Sequence, residues 1–82
     1  MRIKPLRKDI SEYLTKHNLR KKFSKSALLF ENDIRHPSLN CELLEPARRG
    51  IYSFRIDRKY RALFFIEGNE AEIISVTNHY KK

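Results

Sequence analysis

Several common kinds of site cannot be built from this sequence, because the residues they need are scarce. A single cysteine, Cys41, excludes an internal disulfide framework and a cysteine-based zinc site, which fits a reducing, cytosolic setting. Only two glycines are present, Gly50 and Gly68, eighteen positions apart, so neither a phosphate-binding loop nor a dinucleotide fingerprint can form. His17, His36 and His79 are not arranged at metal-ligand spacing, and no metal or other cofactor is expected. Long apolar runs are also missing. The longest, Ala62 to Ile66, has five residues, against the ~20 needed to span a bilayer. Met1-Arg2-Ile3-Lys4-Pro5 has no apolar stretch behind it, so neither a secretory signal nor a membrane partner is expected.

What is abundant is positive charge. Lys and Arg number 18 against 10 Asp and Glu, for a formal charge of +8. Such an excess does not specify a fold, but it attracts phosphate-bearing polymers and acidic proteins at a distance. Residues 46 to 61 hold Arg48, Arg49, Arg55, Arg58, Lys59 and Arg61 against Asp57 alone. Most of this cluster is arginine, whose planar fork suits phosphate and stacks on bases. Arg48, Arg49, Arg55, Arg58 and Lys59 are therefore candidate RNA or phosphate contacts; for any one of them, a solvated surface charge is the alternative. A second basic stretch comprises Arg20, Lys21, Lys22 and Lys25.

Eighty-two residues, 40% of them apolar, suffice for one domain over 1–82, without repeats or low-complexity runs. Met1 to Leu6 carries Pro5 and reads as a short edge strand or an extended lead-in. Asp9 and Glu12 have capping-box spacing, and Ile10, Tyr13 and Leu14 share a helical face, which predicts a helix from about Lys8 to His17. Asn18 suits its end. Phe23, Ala27, Phe30 and Ile34 predict a second helix stopped by Pro37. Ile51 to Asp57 alternates, with Tyr52, Phe54 and Ile56 on one side and Ser53 and Arg55 on the other. A turn at Asp57-Arg58-Lys59, a strand over Tyr60 to Ile66, a turn at Glu67-Gly68-Asn69-Glu70 and a strand over Glu72 to Thr77 complete a meander. The expected class is α+β, a helical hairpin packed on one face of a small twisted antiparallel sheet.

Within that frame Arg55 projects from the face opposite the helices, and Arg61 lies either beside it or around the rim. His79 and Tyr80 follow the last strand and are free to reach a shallow cleft. Each has a plainer alternative: an ion pair to Asp57 or a glutamate for Arg55, an ordinary half-buried ring for Tyr80, an exposed histidine for His79. His17 suits the negative end of the first helix, and His36 either shapes a turn or faces RNA. Nothing marks Cys41 or any serine as an activated nucleophile.

The runs His36-Pro37-Ser38-Leu39, Gly50-Ile51-Tyr52-Ser53-Phe54-Arg55-Ile56, Tyr60-Arg61-Ala62-Leu63-Phe64 and Asn78-His79-Tyr80 carry a resemblance that extends over nearly the whole chain, including the helical hairpin before the sheet. Together they resemble the RelE/ParE toxin superfamily of type II toxin-antitoxin modules. The His-Tyr ending, after arginines on two strands, is most similar to the YoeB branch, whose members are like microbial ribonucleases and cut mRNA in the ribosomal A site. The resemblance implies a phosphate-binding role for Arg61 and a terminal catalytic pair in His79 and Tyr80, with His79 as general acid. Alignment through Gly50 puts Glu42 at the general-base position. The family's surrounding Pro-Glu segment is not reproduced, so Glu45 is the alternative base. Arg55 matches an arginine common in its strand, with either a phosphate-binding or a sheet role. Also implied are a metal-independent attack by the ribose 2′-OH, a heteromeric complex with a cognate antitoxin, and mRNA and the ribosome as partners. A ParE-type DNA gyrase poison keeps the fold and changes the target, and the His79-Tyr80 ending argues against it. A non-enzymatic basic RNA- or ribosome-binding module needs only the cation cluster.

Overall fold

A computed structural model describes residues 1–78. The chain runs β1 (Arg2–Ile3), α1 (Lys8–Lys16), α2 (Arg20–Asn32), a 3-10 turn (Pro37–Leu39), β2 (Glu42–Leu43), a second 3-10 turn (Ala47–Arg49), β3 (Tyr52–Arg55), β4 (Arg61–Glu67) and β5 (Glu70–Thr77). The sheet order is β1-β5-β4-β3-β2, with β1 parallel to β5 and every other pair antiparallel. The expected α+β class holds, and the three-stranded meander is the centre of a five-stranded sheet.

Local chemistry sets the helix ends, and twice it differs from expectation. The Asp9 and Glu12 capping box does not form: Arg7 occupies the N-cap without a side-chain cap bond. Asp9 instead takes two bonds from the Arg7 guanidinium, at 3.0 and 2.8 Å, which engage its carboxylate. Asn18 ends α1 as expected, in the left-handed region at φ 56°, and the Leu19 N–H returns to the Leu14 carbonyl. The second helix stops at Asn32, well before Pro37. There the Asn32 amide donates to the Leu28 carbonyl and Asp33 turns extended, its carboxylate accepting from the Arg35 N–H. These short polar side chains offer the backbone an alternative to continued helix.

One face of the sheet carries the core. Phe30 of α2 packs on Phe54 and Phe64 with ring centroids 5.1 Å away in each case, and all three are fully buried. Burying one such ring contributes about 1.5–3 kcal/mol. Ile10, Leu14 and Phe23 from the helices and Ala62, Ile73 and Val76 from the strands extend the same cluster. At the β1 edge, the Arg2 N–H donates to the carbonyl of Asn69, just before β5, and the Lys4 N–H to that of Ala71 in β5, while the opposite-pointing Ile3 N–H donates to Glu31 Oε2 at 2.8 Å. A side chain from α2 thus satisfies an edge donor that no strand pairs.

A bulge decides what the other face carries. Leu63 pairs with Ser75 but Phe64 with Ile73, so β5 has one extra residue, Ile74. The step shifts the inward parity from Ala71 and Ile73 to Val76. Ser75 and Thr77 therefore share the outward face with Leu63 and Arg61.

Candidate functional site

On the face away from the helices the register assembles a polar row from distant parts of the chain. Arg55 of β3 stands opposite Arg61 of β4, which stands opposite Thr77 of β5. One step along, Glu42 of β2 stands opposite Ser53, which stands opposite Leu63. Of the two sequence readings for Arg61, the position beside Arg55 is the one observed.

Arg61 is held tightly for a surface arginine. Its side chain is 11% exposed. Nε donates to Ser53 Oγ at 2.9 Å, and one Nη group donates to the Asn40 carbonyl at 2.5 Å and the Ser53 carbonyl at 3.4 Å. Glu42 Oε2 lies 3.9 Å from the same nitrogen and accepts from Asn40 Nδ2 at 3.3 Å. The guanidinium covers Ser53, which is fully buried although its strand position faces outward. A charged group held this way is oriented before any ligand arrives.

The remaining candidates surround this centre at different distances in the chain. Arg55 is exposed, and among the described residues it makes no ion pair with Asp57 or any glutamate. Asp57 is engaged elsewhere, accepting from the Lys59 and Tyr60 N–H groups at 2.8 Å and pairing with Lys22 at 3.0 Å. Burial by itself would raise its pKa; the bonds from Tyr60, Lys22 and Lys59 outweigh that and hold the carboxyl below its ordinary range. Arg58 and Lys59 are exposed at the tip of the β3–β4 turn, and Arg48 and Arg49 are exposed on the second 3-10 turn. Glu45 is exposed on the loop before that turn, whereas Glu42 is partly buried beside Arg61. Burial pushes the Cys41 thiol up, with the Arg61 charge pulling it partly back. His79 and Tyr80 lie outside the described residues; in sequence they follow Thr77 by two and three positions.

The other histidines have local partners. His36 Nδ1 accepts from the Ser38 N–H at 3.2 Å, which gives it the turn-shaping role. His17, the C-cap of α1, lies on the Tyr13 ring with centroids 4.1 Å apart and has Nδ1 3.4 Å from the Tyr60 hydroxyl. Sequence reasoning passed over Asn40, Ser53 and Thr77. Alternation puts Ser53 outward, but nothing local signals that Arg61 will bury it, and the bulge that aligns Thr77 leaves no mark in the hydrophobic pattern.

No protein-family model matches the chain. An uncharacterised Haemophilus influenzae protein is 41% identical over 49 residues, covering 58% of this chain and 48% of that protein, so the chain spans about half that relative's length. Solved structures resemble it over nearly its full extent. The toxin of a YoeB-YefM toxin-antitoxin complex from Staphylococcus aureus is similar with a TM-score of 0.68 at 21% identity, covering 96% of this chain and 94% of that one. A YoeB/ParE toxin from Agrobacterium tumefaciens gives 0.71 at 19% identity, covering 98% and 100%. YafQ from E. coli gives 0.71 at 7% identity, covering 95% and 90%. The fold is thus the one shared by the YoeB, YafQ and YoeB/ParE toxins.

Proposed function

We propose that this protein is the toxin of a type II toxin-antitoxin module and acts as a ribosome-dependent mRNA endoribonuclease. The observation that carries the reading is the row of Arg55 and Arg61 across β3 and β4, with Glu42 beside Arg61. Two like charges directly opposite each other destabilise a sheet, and an anion set between them relieves that repulsion. A phosphodiester is such an anion, and the toxin fold and the basic residues 46–61 agree with it. The cognate antitoxin, mRNA and the ribosome are the partners this reading requires.

In the reaction, Glu42 removes the proton from a ribose 2′-OH, whose oxygen attacks the adjacent phosphorus. His79, protonated, gives its proton to the departing 5′ oxygen, with Tyr80 beside it in sequence. Arg61, assisted by Arg55, stabilises the charge that gathers on the phosphorane oxygens. Because the nucleophile belongs to the substrate, this chemistry has no need of a metal to generate it. The products are a 2′,3′-cyclic phosphate and a 5′-OH, and DNA, lacking the 2′-OH, is inert.

The test adds purified protein to programmed ribosomes, with wild type, Arg61→Ala and His79→Ala in parallel, and maps RNA ends by primer extension. Cuts that need the ribosome, carry a cyclic phosphate and vanish in both variants are expected. A 3′-OH product would sink the mechanism. Absence of cuts from a folded sample that arrests growth would transfer the reading to gyrase inhibition or to ribosome binding without chemistry.

A further inference from the structure

We infer that Asn40 is a positioning residue that fixes the separation between Glu42 and Arg61, an inference that rests on the ribonuclease reading of that pair. Two groups of one residue reach both candidates. Its backbone carbonyl accepts from the Arg61 guanidinium at 2.5 Å, and its side-chain amide donates to Glu42 Oε2 at 3.3 Å.

The backbone conformation shows how this is achieved. Leu39 is fully buried and pins the end of the first 3-10 turn to the core. Asn40 follows in the left-handed region at φ 44° and ψ 54°, its N–H returning to the Pro37 carbonyl at 3.2 Å. An ordinary residue disfavours this region, while glycine adopts it freely and asparagine tolerates it. Glycine would supply the turn and the carbonyl but no amide. The choice of asparagine therefore combines a reversal of the chain with a donor aimed at the carboxylate two residues later. Ser53 holds Arg61 from the opposite side, so the guanidinium is gripped between β3 and the loop preceding β2.

A carboxylate that abstracts a proton works only when held near the attacking hydroxyl, and losing orientation lowers the rate of the chemical step more than it weakens binding. Asn40→Gly removes the amide and keeps the backbone conformation. It is expected to lower kcat by about tenfold with KM unchanged, and to leave the Arg61 Nε–H signal in a 15N spectrum where it is in wild type. Asn40→Ala also disfavours the left-handed backbone, so it should displace the carbonyl, shift the Arg61 Nε–H signal and raise KM as well. Placed in a Glu42→Gln background, Asn40→Gly should cost nothing more, because its effect passes through Glu42.

Wild-type kcat in Asn40→Gly, or an equal loss in the Glu42→Gln background, would overturn the proposal. So would an Arg61 signal that is unmoved in Asn40→Ala. If wild type cuts no RNA, the ribonuclease reading fails alone, and the Arg61 signals of the two variants still decide whether Asn40 positions that side chain.

Discussion

The two faces of this sheet are buried by different means, although the same strands supply both. On the inner face, Phe54 and Phe64 meet Phe30 of α2, and apolar surface leaves water with no demand on direction. On the outer face, Ser53 is equally inaccessible, yet what covers it is the guanidinium of Arg61, held by bonds of defined geometry to Ser53 and Asn40. The inner face tolerates exchange of one apolar side chain for another of similar volume. Around Arg61 the outer face does not, because Ser53 and Asn40 each satisfy that guanidinium with a particular atom, and removing one group leaves another without that partner in a partly buried place. Stability thus resides mainly on one side of the sheet, and candidate chemistry on the other.

Two substitutions test that division, beginning with the greater effect. Phe30→Ala removes the ring that touches both Phe54 and Phe64 and should cost about 3–5 kcal/mol. That approaches the whole stability of a small domain, so denaturant titration should find this variant largely or wholly unfolded in buffer. Arg61→Ala should cost about 1–3 kcal/mol, from loss of the partner to Ser53 Oγ and the Asn40 carbonyl. It should retain its circular-dichroism spectrum, melt earlier by about 4–8 °C per kcal/mol and no longer arrest growth. Equal destabilisation by the two would mean that Arg61 belongs to the structure as much as the phenylalanines do, and the division between faces would fail.

This difference also explains what could be read from the sequence. The alternation of Tyr52, Phe54 and Ile56, and the helical spacing of Phe23, Ala27 and Phe30, report the inner face because its burial follows from local periodicity. Arg55 was legible as outward for the same reason, whereas Arg61 was open between a place beside it and the rim, and the observed register sets the two opposite each other. Strand β2 was not legible, since two residues are too few to show a period. The β5 bulge was not either, and it is what brings Thr77 into line with Arg61. Asn40 was passed over because its importance lies in contact with Arg61, twenty-one positions away. Where α2 ends was misjudged in favour of Pro37, when Asn32 and Asp33 already compete for the backbone.

The turn joining β3 to β4 supplies a smaller and pH-dependent comparison, because there a charge rather than an apolar ring fixes the chain. Asp57→Asn keeps an oxygen able to accept from the Lys59 and Tyr60 N–H groups and loses the charge facing Lys22. Replacing charge-assisted bonds by neutral ones should cost about 1 kcal/mol at pH 7. The sign of the pH effect follows from the lowered carboxyl pKa in the folded protein. The contribution is fully present above the unfolded value of about 3.9 and is lost as pH falls through the lower folded value. Wild type and Asp57→Asn should therefore differ in denaturation midpoint at pH 7 and converge below about pH 4, as Asp57 becomes protonated in both states of the wild type. A gap that persists undiminished at the acid end would show that the carboxylate charge contributes nothing. In that case the amide's geometry, and not its loss of charge, separates the two proteins, and the turn would depend on hydrogen-bond direction in the same way as the outer face of the sheet.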